Sequence, residues 1–250
     1  KTVNNNLLYH GCIPLKKDGS FDALNYKGED YSGKGLMDCL DVLIQDAYYL
    51  PSDLAQKQEK VDFMWYLWCG PKSPLFGKSQ MSTFENFFLE DKNIREEHYN
   101  PYFQLAQRED IARQILTEFG LDADKAHIIN GHVPVKIKDG ESPVKANGKL
   151  YVIDGGIAKA YQPKTGIAGY TLIFNSRHLA LAEHRSLDYG IDNDLGSYTP
   201  TIHIVETMPR RLKEEDTDLG KEWDTKISDL NDLVLAYRQG RIKESYPPEG

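Results

Sequence analysis

The stretch Ile128-Ile129-Asn130-Gly131-His132 decides how this chain is interpreted, because it joins a short apolar strand to a glycine and a histidine. Leu8-Tyr9-His10-Gly11 and Val152-Ile153-Asp154-Gly155 share the arrangement, with a polar residue beside glycine where an apolar run ends. In open α/β sheets, ligands bind beyond the carboxyl ends of the strands, and glycine there lets backbone and ligand approach closely. We therefore expect the two histidines and the aspartate to lie at one rim of a sheet.

These strand ends predict a metal site. Imidazole is a common metal ligand, and its second nitrogen can be held by a carbonyl or a carboxylate. His10 and His132 are candidate ligands of one shared metal ion, and Asp154 is a candidate third ligand. The competing interpretation makes each histidine an ordinary hydrogen-bonded residue of the fold, since a metal site normally needs three or four protein ligands.

Helical patterns separate the first of these strands from the second. Leu36, Leu40, Leu43 and Ala47 recur at helical spacing, and a second, less regular helix is expected to end near Cys69. After residue 126 the pattern changes to consecutive strands. Helices and strands that alternate first and then give way to successive strands predict an α/β or α+β layered domain.

The later part of the chain gives three further predictions. Val133, Val135 and Ile137 alternate with polar residues and predict a strand, and residues 202–205 predict an edge strand. A terminal helix is expected over Leu219–Tyr237, where apolar residues recur every three or four positions. We expect this apolar stripe to pack on the domain, with a helix-mediated dimer as the alternative.

Composition excludes several classes of function. The 250 residues include 30 Lys and Arg against 38 Asp and Glu, a formal net charge of −8, which argues against binding to a nucleic-acid backbone. The longest apolar run, residues 63–69, is far too short to span a membrane. Three cysteines without a CxxC pair predict a reduced, cytoplasmic protein.

Lys72 and Lys136 are candidates for binding a small phosphate group.

Three segments together resemble a known superfamily. Residues 8–14 resemble the His-Gly segment of calcineurin-like metallophosphoesterases, residues 130–135 their Gly-His-x-Pro segment, and residues 152–156 the Ile-Asp-x-Gly strand that follows. Residues 67–78 and 130–170 narrow the resemblance to the class III fructose-1,6-bisphosphatases of Firmicutes. The similarity covers nearly the whole chain.

The resemblance implies a fold, a site and an activity. The fold would be the C-terminal half of a layered α/β metallophosphoesterase-type β-sandwich in residues 1–185, with a loop, an edge strand and a C-terminal helix in residues 186–250. His10 and His132 would ligate one ion of a binuclear manganese or magnesium centre. Asp154 would either support these ligands from outside the metal's own coordination sphere or hold the end of its strand. The activity would be hydrolysis of fructose 1,6-bisphosphate to fructose 6-phosphate and phosphate in gluconeogenesis.

The chain also departs from the family pattern. The family's Gly-Asp-x-His, Gly-Asp-x-x-Asp and Gly-Asn-His segments lie upstream of the His-Gly segment, and none occurs here. Pro134 stands where many relatives of the superfamily place another histidine. We therefore expect a fragment that starts within a longer protein, holds half of the metal site and is inactive alone.

Other functions remain as alternatives. The same metal chemistry would also suit a phosphatase acting on phosphoproteins or on dinucleoside polyphosphates. A different class of protein, a non-catalytic sugar-phosphate-binding or regulatory domain, would use the same histidines only structurally. The sequence leaves the oligomeric state open, with a homo-oligomer as one possibility.

Overall fold

The computed structural model describes residues 1–156, 162–166, 169–184 and 199–243, which form a mixed α/β fold with a terminal helix. The strands are β1 (Thr2–Val3), β2 (Asn6–Leu8), β3 (Ala23–Tyr26), β4 (Glu29–Ser32), β5 (His127–Asn130), β6 (Val144–Lys145), β7 (Leu150–Val152), β8 (Gly169–Phe174), β9 (His178–His184) and β10 (Thr201–Thr207). The helices are α1 (Gly33–Tyr49), α2 (Ala55–Cys69), α3 (Glu85–Phe88), α4 (Lys92–Arg95), α5 (Tyr102–Leu105), α6 (Glu109–Glu118), α7 (Gln162–Thr165) and α8 (Asp218–Arg238). The predicted α/β class is confirmed.

A five-stranded sheet in the order β1-β2-β5-β7-β6 positions the candidate site. Its three central strands, β2, β5 and β7, are parallel to one another, and the outer two are antiparallel to their neighbours. Every residue of β5 is buried, as expected of a central strand covered on both faces. Because β2, β5 and β7 run in the same direction, their carboxyl ends share one edge of the sheet.

A second, antiparallel sheet in the order β10-β9-β8 lies next in the chain. Residue 154, just past β7, forms an isolated antiparallel bridge with Gly169 at the start of β8. The side chain of His127 on β5 also lies 2.8 Å from that of Glu206 on β10. The edge strand predicted at residues 202–205 is confirmed within β10.

Both sheets contribute to one hydrophobic core. Its fully buried members include Leu7 and Ile128 from the first sheet, Leu179 and Leu181 from the second, and Ile115 from α6. A smaller core joins β3, α1 and α2 through buried leucines. The apolar spacing that predicted α1 is the face that this smaller core buries.

The prediction that the terminal helix packs on the domain is wrong. Among the residues of α8, only Gly220 is buried. The helix is held at its first residue, where Asp218 Oδ2 accepts a hydrogen bond of 2.6 Å from the backbone N–H of Asn4, and Asn4 Oδ1 accepts one of 2.9 Å from that of Asp218. A helical period shows that a helix has an apolar face, but it does not show what covers that face.

The alternation at residues 133–137 does not form a strand, because the chain makes a turn there and continues into a 3-10 helix at Ile137–Asp139. A loop is expected at the start of the segment 186–250, and its residues up to 198 lie outside the described residues. In the described ranges, no helix is long and apolar enough to cross a membrane.

Candidate metal centre

The parallel strands bring His10 and His132 into direct contact. His10 follows β2, His132 follows β5, and the Nε2 atom of His10 lies 3.0 Å from the Nδ1 atom of His132. The ring centroids are 4.9 Å apart, with the rings edge to face at 68°. Two residues 122 positions apart in the chain therefore present their nitrogens to each other at one sheet edge.

A backbone carbonyl fixes the orientation of the His132 ring. The Nε2 atom of His132 lies 2.9 Å from the carbonyl oxygen of Phe76. Because a carbonyl only accepts hydrogen bonds, the ring proton of His132 sits on Nε2. The lone pair on Nδ1 then accepts the 3.0 Å hydrogen bond from Nε2–H of His10. An imidazole held in this way through its second nitrogen has the arrangement found in metal-ligating histidines.

The backbone of His132 is in the left-handed region, with φ of 70°. This conformation costs a non-glycine residue about 1–3 kcal/mol and recurs at functional sites. Gly131, just before it, faces His10 and Asp154: a Cβ built on Gly131 would lie 3.8 Å from the carbonyl oxygen of His10. The turn after β5 thus places the His132 ring at the sheet edge at some local cost.

The surroundings of His132 keep its imidazole neutral. Half-burial lowers its pKa below the usual value, and the nearby charges of His10 and Lys78 lower it further; the hydrogen bond to the Phe76 carbonyl and the charge of Asp154 oppose this shift. A neutral imidazole carries the lone pair that a metal ion binds. At neutral pH, His132 is therefore in the protonation state that a ligand requires.

A buried polar network below the two rings holds the turn that carries His10. Asn130 donates through Nδ2 to the carbonyl of Gly11 at 3.1 Å and to the hydroxyl of Tyr102 at 2.8 Å. The Tyr102 hydroxyl also lies 2.6 Å from that of Tyr9. The N–H of Gly131 donates to the His10 carbonyl at 2.9 Å. The end of β5 therefore binds the end of β2 through both side chain and backbone.

Close packing further fixes this turn. A Cβ added to Gly11 would come within 3 Å of the carbonyl oxygen of Pro74, so only glycine fits there. That same carbonyl accepts a hydrogen bond of 2.9 Å from the N–H of Cys12. The breaker-rich loop after α2 thus supplies both the Pro74 contact and the Phe76 carbonyl.

Asp154 lies at the end of β7, beside the turn of Gly131. Its Oδ1 accepts a hydrogen bond of 2.8 Å from the N–H of Gly156, and its carbonyl accepts one of 2.8 Å from the N–H of Val135. A Cβ on Gly131 would be 3.5 Å from the Asp154 Cβ. These contacts hold the backbone at the strand end, and a supporting role for Asp154 at the metal site stays a prediction.

The two candidate phosphate-binding lysines lie in different surroundings. Lys72 places its ammonium group 3.1 Å from Asp22 Oδ1 and 2.9 Å from the carbonyl of Ala23. Lys136 follows the 131–135 turn, and its backbone N–H donates to Glu141 at 3.0 Å. The Lys72 ammonium group is therefore engaged by β3 and the residue before it, and a role in substrate binding stays a prediction for both lysines.

Sequence reasoning assigned no part in the histidine site to three residues around the pair. Lys78 is close enough for its charge to lower the pKa of His132, and it pairs with Glu97 at 2.6 Å. Asn130 and Tyr102 form the buried network. A polar residue as the last member of an apolar strand was the available signal for Asn130, whereas nothing near Tyr102 in the sequence pointed to the site.

The histidine pair fits one side of a metal site. Two nitrogens bound at about 2.1 Å and at a right angle on one octahedral cation lie about 3.0 Å apart, the separation between His10 and His132. In the part of the chain that the structure describes, no group of three or more His, Cys, Asp or Glu residues is placed to hold a metal ion. The pair therefore suits two adjacent ligand positions, and the other positions need further donors.

Comparison with known proteins assigns the family. A family model described as Firmicute fructose-1,6-bisphosphatase matches residues 1–239. Proteins named fructose-1,6-bisphosphatase class 3 are similar to 98% of this chain in Finegoldia magna, with 52% identity, and to 96% in Clostridium botulinum strain Kyoto, with 53% identity. The chain spans only 38% and 36% of these two relatives. No solved structure matches. With nearly its whole length matched by the family model, the chain belongs to the Firmicute fructose-1,6-bisphosphatase family.

Proposed function

We propose that this chain contributes two metal-ligating imidazoles to an enzyme that hydrolyses the 1-phosphate of fructose 1,6-bisphosphate. The observation that carries the proposal is the 3.0 Å approach of His10 Nε2 to His132 Nδ1, with the far nitrogen of His132 bonded to the Phe76 carbonyl. The relatives carry the name fructose-1,6-bisphosphatase class 3, which favours this substrate over a phosphoprotein or a dinucleoside polyphosphate.

His10 and His132 would hold one ion of a binuclear manganese or magnesium centre. When bound, such a centre activates a water molecule and polarises the phosphoryl oxygens for in-line displacement. This chain's own residues prepare that site. Burial keeps His132 neutral, the Phe76 carbonyl directs its Nδ1 lone pair toward His10, and Asn130 fixes the His10 turn from below.

The 250-residue chain alone is proposed to bind metal weakly and to lack turnover. Two imidazoles are fewer than the three or four protein ligands of a usual site.

Cys12, Cys39 and Cys69 all carry free thiols, which supports a reducing, cytoplasmic location for the protein.

Manganese binding by the chain tests the site. In a titration followed by electron paramagnetic resonance, the unaltered chain should reduce the free Mn²⁺ signal, and His10→Ala and His132→Ala should each abolish this effect. His203→Ala is the matched control, because His203 lies on β10 and pairs with Glu183 at 3.4 Å. Equal binding by the His132→Ala and His203→Ala variants would rule out the proposed ligands.

Phosphate release tests the substrate. In the protein at its full encoded length, fructose 1,6-bisphosphate with Mn²⁺ should be hydrolysed faster than a phosphopeptide or diadenosine tetraphosphate, and His132→Ala should abolish the activity. Preference for either competing substrate would replace the proposed one. Binding of fructose 1,6-bisphosphate without metal and without turnover would instead favour a non-catalytic binding domain.

A further inference from the structure

Helix α8 presents an apolar stripe that nothing in the described part of the chain covers. Trp223, Ile227, Leu230, Val234 and Tyr237 follow one another at spacings of 4, 3, 4 and 3 residues, the repeat of a coiled-coil seam. Their exposed fractions range from 42% to 60%. A contiguous apolar surface of this kind marks a site of protein association.

The geometry of α8 makes this stripe accessible. The helix has 21 residues, a length of about 31 Å at 1.5 Å per residue. Its contacts with other elements involve mainly the preceding short 3-10 helix at Glu214–Asp216, and the Asp218–Asn4 hydrogen bonds fix only its first turn. Beyond Gly220 every residue of the helix except the half-buried Ala236 is exposed among the described residues.

We propose that α8 pairs with α8 of a second copy of this chain as an antiparallel coiled coil. In heptad terms, Ile227 and Val234 occupy a positions, and Leu230 and Tyr237 occupy d positions. Antiparallel pairing places a residues opposite d residues. Ile227 then packs against Tyr237 of the second copy, and Leu230 packs against Val234, each contact occurring twice about the two-fold axis.

The charges beside the seam favour a second copy as the partner. Asp224, Asn231 and Arg238 form one flank of the stripe, seven residues apart. In the antiparallel register, Asp224 lies beside Arg238 of the second copy, Arg238 lies beside Asp224, and the two Asn231 side chains meet at the centre. A partner helix that runs antiparallel to α8 must therefore present a positive charge opposite Asp224 and a negative charge opposite Arg238, 14 residues apart. A second copy of α8 supplies both charges.

The other flank selects the antiparallel over the parallel orientation. Leu233, exposed at 42%, meets Leu233 of the second copy in the antiparallel register and extends the apolar contact. In a parallel, in-register pair, Leu233 would instead lie beside Arg238, and Leu219 beside Asp224. Parallel pairing therefore places apolar side chains against charged ones on this flank and forms no ion pair between Asp224 and Arg238.

Analytical ultracentrifugation of the full chain tests the dimer. Between 5 and 200 µM, the chain should approach twice its monomer mass, and Leu230→Asp should give a monomer with unchanged far-ultraviolet circular dichroism. Asp224→Arg should raise the dimer dissociation constant roughly tenfold, because two attractive flanking pairs become repulsive. Adding Arg238→Asp to Asp224→Arg should restore association. A monomeric unaltered chain, or a dimer insensitive to Asp224→Arg, would overturn the proposal.

Cysteine cross-linking tests the orientation. Under mild oxidation, Leu233→Cys should form a disulfide-linked dimer, whereas Trp223→Cys should not, because Trp223 meets its own counterpart only in a parallel pair. The unaltered chain, with Cys39 and Cys69 partly exposed, gives the background. Linkage through residue 223 alone would overturn the antiparallel register. In the protein at its full encoded length, a monomer with slow hydrogen exchange in α8 would show that the same polypeptide covers the stripe, which also overturns the proposal.

Discussion

Replacing Asn130 by alanine should release the turn that carries His10. Asn130 is 4% exposed, and its amide nitrogen donates to the Gly11 carbonyl at 3.1 Å and to the Tyr102 hydroxyl at 2.8 Å. Alanine removes both hydrogen bonds and leaves the backbone free to move apart from β5. The consequence should appear both in the free energy of unfolding and in the affinity for metal.

The magnitude follows from which groups lose their partners. A buried carbonyl left unsatisfied, here that of Gly11, costs about 1–3 kcal/mol. The Tyr102 hydroxyl keeps its 2.6 Å contact with Tyr9, so its lost hydrogen bond costs about 1 kcal/mol. In the opposite direction, Asn130 Oδ1 is buried without a partner among the described residues, and its removal returns about 1 kcal/mol. The net loss of unfolding free energy should be about 2 kcal/mol.

Urea denaturation followed by tryptophan fluorescence measures this loss. Asn25→Ala is the matched control, because the Asn25 amide bonds Asp30 at 2.7 Å on the surface, and it should change the unfolding free energy by less than about 0.5 kcal/mol. Manganese affinity should fall about 10- to 100-fold in Asn130→Ala, as for other residues that hold ligands in place. If both variants unfold at the same urea concentration and bind Mn²⁺ equally, the Asn130 network does not support the His10 turn.

Three further predictions concern other positions. Burial holds the pKa of His127 below its usual value, and Glu206 opposes this shift. The unfolded chain therefore binds the proton more tightly than the folded chain does. The stability should be full above about pH 6.5 and should fall as the pH drops below it. In His127→Gln, the urea midpoint should vary less between pH 7 and pH 5 than in the unaltered chain. An unchanged pH profile would show that His127 is not the source of the pH dependence. Gly11→Ala should lower the melting temperature by several degrees because its Cβ meets a backbone carbonyl, whereas Gly35→Ala, with open space around its Cβ in α1, should raise it slightly; the opposite order would show that the loop after α2 yields easily. Ile115→Ala, fully buried in the main core, should cost about 2–5 kcal/mol in urea denaturation, and a cost below about 1 kcal/mol would mean that the core collapses around the gap.

Local signals predicted the elements that carry the site. Short apolar runs followed by glycine predicted β2, β5 and β7, and helical spacing predicted α1, because burial of one face imposes its period on the sequence. The same reasoning failed at residues 133–137. There, alternation correctly put Val135 inside, and its N–H bonds the carbonyl of Asp154. The left-handed backbone of His132 turns the chain, however, and residues 133–137 form no strand.

The sequence by itself determined that two imidazoles follow two short buried strands, and that the terminal segment is an amphipathic helix. Only the tertiary structure decided that the strands are parallel neighbours, that the His10 and His132 nitrogens come within 3.0 Å, and that no other described part of the chain covers the apolar face of α8. The physical reason is that these properties depend on groups distant in the chain. The proton on His132 is placed by the carbonyl of Phe76, 56 residues away, and a backbone carbonyl has no side chain through which a sequence could signal its role.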